Sequence, residues 1–560
     1  MNLQTIFCNK FSLLALGLGL LAAGCKKSLT GEIEDDSVNR SFTPANFSVS
    51  TVKDSAKFRW NAPLYTGSDA TYALEISTDS LFATVDYTTT ADTTAAVVLD
   101  SHLKLNTPYF ARVRVAEYKG KQPSSYIAAA RSFRLNGQQF FKVLRDFEVT
   151  PTSALLHWAT GAPTAGLTHM VLINGKDSVK TALGGAEVSA GQKALAGLLP
   201  DTRYTVQLLA GSKSKGLLTF TTPATVSFTT VLSPSDNLAT AITNAANGDV
   251  IGLNPGTYNL SGITYVVQKR IALRSVSGNP ADTKVLTREI NLQGDSAGIT
   301  LAGIEFNGNY SGTSYGAQFL QLVGKDSAKQ VTAFNNILID NCIIHDFSRC
   351  VIRGNNGGVA NDHKIGSITI NNAQLYNIDQ ANTAGYYNFS LEKLQLAAFS
   401  LTKSTLYKLG QGLINMSTNL STTTGIVPAV TIDYCTFNSF GGGSGKYAFI
   451  DANANKVVFH FNNSIVANTP ISGSLQAAAF RASNTGNVLS FSNNNYFKLQ
   501  VAPGGAALNL TGLAQANDIS VDLGWTAATT GFGLATLPAD HPVFAASMAG
   551  GAVGDPRWAY

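Results

Sequence analysis

The densest group of titratable side chains in the sequence occupies one short segment. It consists of Asp340, His345, Asp346, Arg349 and Arg353. Acidic and basic groups that lie together can transfer protons, for example by removing the proton beside a sugar carboxylate while a neighbouring cation neutralises that carboxylate. Aspartate oxygens are also ligands that suit Ca²⁺. These five residues are therefore the candidates for a catalytic site.

Other catalytic motifs are absent from the sequence. The glycine-rich run that ends at Lys446 is followed by Tyr447, whereas a phosphate-binding loop requires Ser or Thr there. The seven histidines show no metal-ligand spacing, and the five cysteines contain no Cys-x-x-Cys pair. No metal site is predicted from these residues, and Ca²⁺ is the one cofactor that the aspartates leave open.

An internal repeat must position the candidate residues. Residues that would point inward recur at offsets 0, 2, 5 and 7 of each repeat, with small residues at offset 5, and the repeats begin about thirty residues apart. Two alternating pairs of this kind indicate two short strands. The residue at the bend between them is often asparagine, which tolerates the left-handed conformation of a sharp corner. The repeats begin at Ile299, Ile337, Ile368, Phe399, Val430, Phe459 and Leu489, and the corner asparagines are Asn341, Asn372, Asn463 and Asn493.

A third apolar strand precedes each new repeat. Three short strands per repeat predict a parallel β-helix of about eight rungs, whose strands stack about 4.8 Å apart. The polar residue that ends each third strand would then fall in one solvent-facing column. The predicted column contains Gln321, Arg353, Asn388, Asn415, Asp451 and Arg481, and the aromatic residues near it are Tyr386, Tyr387, Tyr407 and Tyr447.

Such a column is suited to an extended glycan. Aromatic faces stack on sugar rings, and amide and guanidinium groups donate directed hydrogen bonds to hydroxyl and carboxylate oxygens. The alternative is that these residues are ordinary solvated positions on the outside of the coil. The predicted glycan-binding residues are Gln321, Arg353, Tyr387, Asn388, Asn415, Asp451 and Arg481.

Two copies of a strand-rich pattern precede the repeats, at residues 42–135 and 140–230. Each copy has an early tryptophan, Trp60 or Trp158, and a later tyrosine, Tyr109 or Tyr204. The second copy contains Leu-x-Pro-x-Thr-x-Tyr, whereas in the first the proline directly precedes the tyrosine. The pattern resembles the fibronectin type III sandwich with its tyrosine corner.

A polar-capped helix is predicted over residues 235–246. It is followed by Gly-Asp-Val-Ile and Pro-Gly-Thr-Tyr, a combination that resembles the N-terminal cap of the pectate-lyase-like right-handed β-helix. The helix would cover the open end of the coil. The predicted fold class is therefore all-β, with two fibronectin type III-like β-sandwiches followed by a right-handed parallel β-helix at residues 235–560.

The N-terminus predicts export and lipidation. Lys10 precedes an apolar run that is too short for a permanent membrane span, and small residues then lead to Cys25. This pattern resembles the bacterial lipobox, which implies a lipoprotein signal peptide at residues 1–24 and an acylated Cys25 in outer-membrane lipid. Residues 25–41 are polar and predict a flexible tether. The alternative is an ordinary signal peptide with an incidental cysteine.

The charge and the distribution of basic residues bear on which class of molecule the protein binds. The formal net charge is only +5, and 13% of the residues are charged. Lys and Arg are scattered rather than gathered in a basic stripe, which excludes nucleic acid as a predicted partner. Cys342, Cys350 and Cys435 are an odd number of remaining cysteines, and we predict that Cys342 and Cys435 are core residues three rungs apart.

The C-terminal region completes a resemblance that covers nearly the whole chain. The stretches Asp540–Phe544 and Gly554–Trp558 resemble the ending of surface lipoproteins from glycan-foraging Gram-negative bacteria, which join fibronectin-like modules to a pectate-lyase-like β-helix. We expect Phe544 and Trp558 to close the last rung. The Arg-x-x-Pro-x-x-Arg motif of the lyases is missing, as are the paired aspartates and Gly-His-Gly of polygalacturonase-type hydrolases.

The resemblance implies a cell-envelope lipoprotein that binds, and in one interpretation processes, an acidic polysaccharide through its β-helix. It would lie in the outer membrane, facing the cell surface or the periplasm, and other glycan-uptake proteins are further candidate partners. Two alternatives stay open. One is a non-enzymatic adhesin or scaffold, and the other is a calcium-dependent polysaccharide lyase.

Overall fold

The chain folds into two compact units, one ending at Gln139 and the other beginning at Phe140. The computed structural model describes residues 39–105, 107–325, 330–354, 363–418, 426–443, 445–538 and 540–560. The predicted signal peptide, Cys25 and nearly all of the predicted tether lie outside these ranges. In the described ranges, no helix combines the length and apolar character needed to cross a membrane.

The first unit is an antiparallel β-sandwich. A three-stranded sheet faces a four-stranded sheet, and Trp60 and Tyr72 are buried between them. The hydroxyl oxygen of Tyr109 accepts a hydrogen bond from the backbone N–H of Lys104 at 3.0 Å, as a tyrosine corner requires. The strands are Ala45–Val52, Ser55–Asn61, Tyr72–Ser77, Tyr87–Ala91, Ala95–Leu99, Phe110–Val115 and Ile127–Ala128.

The second unit begins with another antiparallel sandwich. Trp158 is fully buried, and the hydroxyl oxygen of Tyr204 accepts a hydrogen bond from the N–H of Leu199 at 2.8 Å. The predicted pair of fibronectin type III-like sandwiches is confirmed. The strands are Ser153–His157, His169–Asn174, Asp177–Ala182, Gln192–Ala196, Arg203–Ala210 and Lys213–Thr221, with an α-helix at Gly185–Ala190 and 3-10 turns at Asp146–Glu148 and Ala162–Thr164.

Parallel strands then stack into a β-helix, one side of which we call sheet A. The eight apolar residues from Ile271 to Leu489 that begin the repeats, including the early rung at Ile271, are aligned in the strand register. The predicted repeat is therefore confirmed. Sheet A comprises Thr230–Leu232, Val250–Leu253, Arg270–Ser275, Gly298–Ala302, Ala333–Phe334, Ile337–Asp340, His363–Asn371, Leu394–Thr402, Ala429–Asp433, Val458–Asn462, Val488–Ser492 and Ala514–Ala516.

The remaining strands form sheet B, which bends because the long strand Ile343–Arg353 belongs to both of its halves. The coil has about seven turns between residues 256 and 499, against the eight rungs predicted. Limb B1 contains Gly256–Leu260, Thr283–Thr287, Glu305–Asn307, Gln374–Ile378, Thr405–Leu409, Thr436–Phe440, Ile465–Thr469 and Asn495–Leu499. Limb B2 contains Tyr265–Val267, Ile290–Gln293, Gly316–Val323, Phe389–Ser390, Ile414–Asn415, Ile450–Asn453 and Phe480–Ala482.

The corner between sheet A and limb B1 is left-handed, as the asparagines predict. The φ angles are 48° at Asn341, 51° at Asn372, 49° at Asn463 and 61° at Asn493. The next position after each corner holds a small or polar buried residue, and Cys342 and Cys435 are among them. The prediction that both cysteines are core residues is confirmed, and Cys350 is buried as well.

A short helix covers the first rung. It spans Leu238–Asn244, and the side chain of Asn237 accepts a hydrogen bond from the N–H of Thr240 at its N-terminus. Leu238 and Ile242 are buried in the β-helix core. The first parallel strand, Thr230–Leu232, precedes the predicted start of this region at residue 235.

The C-terminal segment, of which the structure describes residues 517–538 and 540–560, runs back along the outside of limb B1. The indole N–H of Trp558 donates to Oγ1 of Thr405 at 2.6 Å, and Phe544 joins the same apolar cluster. The expectation that Trp558 closes the last rung is therefore wrong, because Thr405 belongs to a rung in the middle of the coil. This segment contains two 3-10 turns, Pro542–Ala545 and Pro556–Trp558.

Candidate functional site

The five titratable residues predicted as one patch lie on three sides of the coil. Asp340 ends a strand of sheet A, His345 and Asp346 lie on limb B1, and Arg349 and Arg353 lie on limb B2. The chain turns sharply between them, with left-handed φ angles of 48° at Asn341 and 63° at Asp346. The prediction of a single catalytic patch is wrong, because these bends place Asp340, the pair His345 and Asp346, and the pair Arg349 and Arg353 on different sides of the coil.

His345 belongs to a network of charges on limb B1. Its Nδ1 lies 2.9 Å from Oδ2 of Asp346, and its Nε2 lies 3.0 Å from Oε1 of Glu305. The imidazole ring stacks on Tyr376 with a centroid distance of 4.7 Å. Burial raises the pKa of Glu305, but hydrogen bonds from His345 and Lys284 outweigh it and lower that pKa. Every polar atom of the imidazole is thus occupied within the protein.

The predicted column of polar residues is found on limb B2, except that one of its members was assigned to the wrong residue. Gln321 aligns with Arg353, and Asn415, Asp451 and Arg481 follow in register. Ser390, not Asn388, occupies the position between Arg353 and Asn415. Asn388 was predicted because Tyr-Tyr-Asn mimics the apolar-apolar-polar pattern of the other third strands. Its side chain is instead buried and donates to the carbonyl oxygen of Gly410 at 2.8 Å.

The column is only partly open to solvent, in contrast to the prediction. Gln321 is 9% exposed and Asp451 is 6% exposed. Tyr387 is 3% exposed, and its hydroxyl oxygen accepts a hydrogen bond from the N–H of Tyr447. Its ring is therefore packed inside the protein and is not available to stack on a sugar. Tyr407 lies on limb B1 beneath the C-terminal segment.

The wall contains a group that we call the Arg353 cluster, made of Glu289, Gln318, Arg349, Arg353 and Tyr386. Arg349 is exposed, Glu289, Arg353 and Tyr386 are half-buried, and Gln318 is buried. The guanidinium carbon of Arg353 lies 4.8 Å from the centroid of the Tyr386 ring, and that of Arg349 lies 5.9 Å from it. Nε of Arg353 is buried and has no hydrogen-bond partner in the described part of the chain. The cluster therefore offers two guanidinium groups beside an aromatic ring.

Glu289 and Gln318 are the members of this cluster that sequence reasoning missed. Burial raises the pKa of Glu289, while a hydrogen bond from Gln318 and the charges of Arg353, Arg349 and Arg288 act in the opposite direction. The register pairs Ile290 with Leu320, and extending the third-strand pattern back by one rung would have found Glu289 beside that strand. The carboxyl group competes with any external anion for the arginines.

A second charged group, the Arg481 cluster, lies further along the same wall. Nε and Nη2 of Arg481 donate to the two carboxylate oxygens of Asp451 at 2.7 and 2.8 Å. The guanidinium carbon lies 5.4 Å from the Tyr447 ring centroid. Four strand steps separate Arg353 from Arg481, or about 19 Å at the usual strand spacing. The two clusters could therefore contact different units of one extended chain.

The protein is all-β and consists of two sandwiches and a parallel β-helix. This architecture is compatible with a surface or binding protein. No three His, Cys, Asp or Glu side chains gather to hold a metal ion in the described ranges. No family model matches the chain, and no curated protein is similar to it in sequence.

Two solved structures resemble the N-terminal region. One is a two-domain fibronectin type III segment of chicken tenascin, with 16% identity, coverage of 32% of this chain and 97% of that chain, and a TM-score of 0.16. The other comprises the FN1–FN3 domains of chicken CNTN1, with 12% identity, coverage of 32% and 67%, and a TM-score of 0.15. At these TM-scores the likenesses support no argument about function, and the sandwich assignment rests on strand pairing and the two tyrosine corners.

Proposed function

We propose that this protein is a cell-envelope lipoprotein that binds an acidic polysaccharide along the outer wall of limb B2. The observation that carries the proposal is the Arg353 cluster, in which Arg349 and Arg353 flank the ring of Tyr386. Guanidinium groups bind carboxylates with paired, charge-assisted hydrogen bonds, and an aromatic ring can stack on the adjoining sugar. The Arg481 cluster on the same wall would contact the chain further along.

The membrane anchor rests on the sequence alone. Small residues before Cys25 predict that this cysteine is lipidated and becomes the mature N-terminus when residues 1–24 are removed. In a Gram-negative host we expect mass spectrometry of the mature protein to show an acylated N-terminal cysteine, and Cys25→Ser to release the protein into the soluble fraction. An unmodified cysteine in the mature wild-type protein would contradict the anchor without affecting the binding proposal.

The double substitution Arg349→Ala and Arg353→Ala tests the binding wall. Loss of a hydrogen bond to a charged group costs about 1.5–3 kcal/mol, so we expect the Kd for polygalacturonate or alginate to rise by about tenfold or more. Isothermal titration calorimetry on the full chain measures this. The matched control is Arg270→Ala, which removes an exposed arginine of sheet A.

The outcomes of this experiment separate the alternatives. Equal affinity in the double variant and the Arg270→Ala control would exclude the Arg353 cluster as the binding site, and an adhesin role would gain support if neither polysaccharide binds. Release of unsaturated sugar products that depends on added Ca²⁺ would instead identify a lyase.

Binding should strengthen at lower pH because of Glu289. Its pKa is raised by burial, so the carboxyl group takes up a proton at a higher pH than an exposed glutamate does. The neutral form no longer competes with an external carboxylate for Arg349 and Arg353. We expect Kd to fall as the pH drops through this pKa, and Glu289→Gln to bind tightly at neutral pH with little pH dependence. A pH series of calorimetric titrations checks this, and a wild-type profile that matches that of Glu289→Gln would contradict it.

A further inference from the structure

A large cleft within the second unit separates the second sandwich from the corner of the β-helix. Its volume is about 1310 Å³, whereas sites for single small ligands occupy roughly 300–1,000 Å³. The sandwich side carries exposed apolar side chains, with Val143 48%, Phe147 41% and Val226 41% exposed, among threonines and charged residues such as Asp201. The β-helix side is mostly polar and contributes Arg274, Ser275, Ser277, Asp340, Asn341 and Asn371, together with the apolar side chain of Val276.

Direct contacts connect the sandwich to the β-helix corner and to the C-terminal segment. Nζ of Lys403, at the β-helix corner, donates to both carboxylate oxygens of Asp146 in the sandwich at 2.8 Å. The hydroxyl group of Tyr560 donates to Oε2 of Glu148 at 3.1 Å, and Nη1 of Arg145 donates to the carbonyl oxygen of Arg557 at 3.5 Å. The cleft is thus formed before any ligand arrives, which reduces the entropic cost of binding.

Two charged side chains on the β-helix side of the cleft have polar atoms without a hydrogen-bond partner in the described part of the chain. Oδ1 of Asp340 accepts a hydrogen bond from Nδ2 of Asn371 at 2.8 Å, while Oδ2 has no protein partner among the described residues. The guanidinium group of Arg274 has no hydrogen-bond partner in those ranges either, although it is close enough to influence the carboxyl group of Asp340. Arg274 and Asp340 lie two strand steps apart in sheet A, with Ala302 aligned between them. Asp340 can therefore accept a hydrogen bond from one hydroxyl group of an extended ligand while Arg274 donates to another.

We propose that this cleft binds a neutral oligosaccharide, with its hydroxyl groups on Asp340 and Arg274 and its C–H faces against Val143 and Val226. Phe147 contributes an edge only, because guanidinium groups of Arg145 and Arg557 lie 4.9 and 5.4 Å from its ring centroid. A neutral ligand fits because Asp146 is paired with Lys403 and Arg145 with Glu148. Asp340 and Asp201 then outnumber Arg274, which disfavours a polyanion. This site is distinct from limb B2 and does not depend on its function.

Calorimetry on the full chain with hexasaccharides of cellulose, xylan, mannan and starch tests the cleft. At least one of the four is expected to bind the wild-type protein. Val276→Trp should abolish that binding by filling the cleft, because Val276 is 42% exposed there. Arg274→Ala should raise Kd by about tenfold, as for loss of one charged hydrogen bond. Asp340→Asn should do the same. Arg274→Ala removes no hydrogen bond or ion pair within the described protein, and an unchanged thermal unfolding midpoint in this variant would separate lost binding from lost folding.

The limb B2 double variant provides the internal control. Arg349→Ala with Arg353→Ala should leave binding of the neutral hexasaccharide unchanged, while Val276→Trp should leave polygalacturonate binding unchanged. The proposal is overturned if none of the four hexasaccharides binds, or if binding persists undiminished in Val276→Trp and Arg274→Ala. Weakening by the limb B2 variant instead would assign the neutral sugar to that wall.

Discussion

Replacement of Phe449 by alanine is expected to lower the free energy of unfolding of the β-helix by about 3–5 kcal/mol. Phe449 is fully buried. Its ring centroid lies 5.0 Å from that of Phe461, 5.1 Å from that of Phe491 and 6.4 Å from that of Phe440. These rings come from different rungs and strands, so none can move into the space without breaking its own contacts. The substitution therefore leaves a cavity in addition to losing apolar burial.

Chemical denaturation or calorimetry measures this effect. Phe449→Leu keeps most of the side-chain volume and should cost clearly less than Phe449→Ala. Val488→Ala, at a residue that is 47% exposed, should change stability by less than about 0.5 kcal/mol. A cost for Phe449→Ala no larger than that of Val488→Ala would mean that the aromatic stack does not hold these rungs together.

Replacement of Arg557 by alanine is expected to detach the C-terminal segment from limb B1. Nη2 of Arg557 donates to the backbone and side-chain oxygens of Asn372 at 2.7 Å each, and its Nε lies 3.7 Å from Oδ2 of the buried Asp555. Burial raises the pKa of Asp555 to about 6, so this carboxyl group is charged at neutral pH. Breaking a buried ion pair by removing one partner costs about 3–5 kcal/mol, because the remaining charge stays desolvated.

Hydrogen exchange monitored by mass spectrometry should show lost protection over the described part of residues 517–560 and over the outer face of limb B1. The matched control is the double variant Arg557→Leu with Asp555→Asn, which removes both charges and should recover much of the protection. Identical protection in wild type and Arg557→Ala would show that the apolar cluster around Trp558 suffices to hold the segment.

The repeat could be predicted from sequence because most inward positions are apolar and each corner restricts the residue type. Ile337, Ile368 and Phe399 align in the structure as their spacing requires. The corner asparagines adopt the left-handed conformation for which asparagine is suited. Both tyrosine corners could also be predicted from a local motif. The hydrogen bond that the Tyr204 hydroxyl oxygen accepts comes from the N–H of Leu199, only five residues earlier in the chain.

The candidate site was less predictable because outward positions are not restricted by packing. Asp340 and Arg353 are close in sequence, but two sharp bends place them on different sides of the coil. Asn388 and Ser390 differ by two residues, and the alternating pattern of a two-residue strand is too short to choose between them. The path of the C-terminal segment depends on long-range contacts such as that between Trp558 and Thr405, for which no periodic signal exists.

The corner residue Lys403 connects the geometry of the coil to the position of the neighbouring sandwich. It adopts a left-handed φ of 47° at the position that holds asparagine in other rungs, and its ammonium group reaches Asp146. The corner presents one such side chain per turn, at a constant pitch. If the lysine stood at the same corner position of the next turn, its contact with the sandwich would move along the coil axis by the height of one turn. The position of the lysine among the turns therefore sets where the sandwich is held along the β-helix.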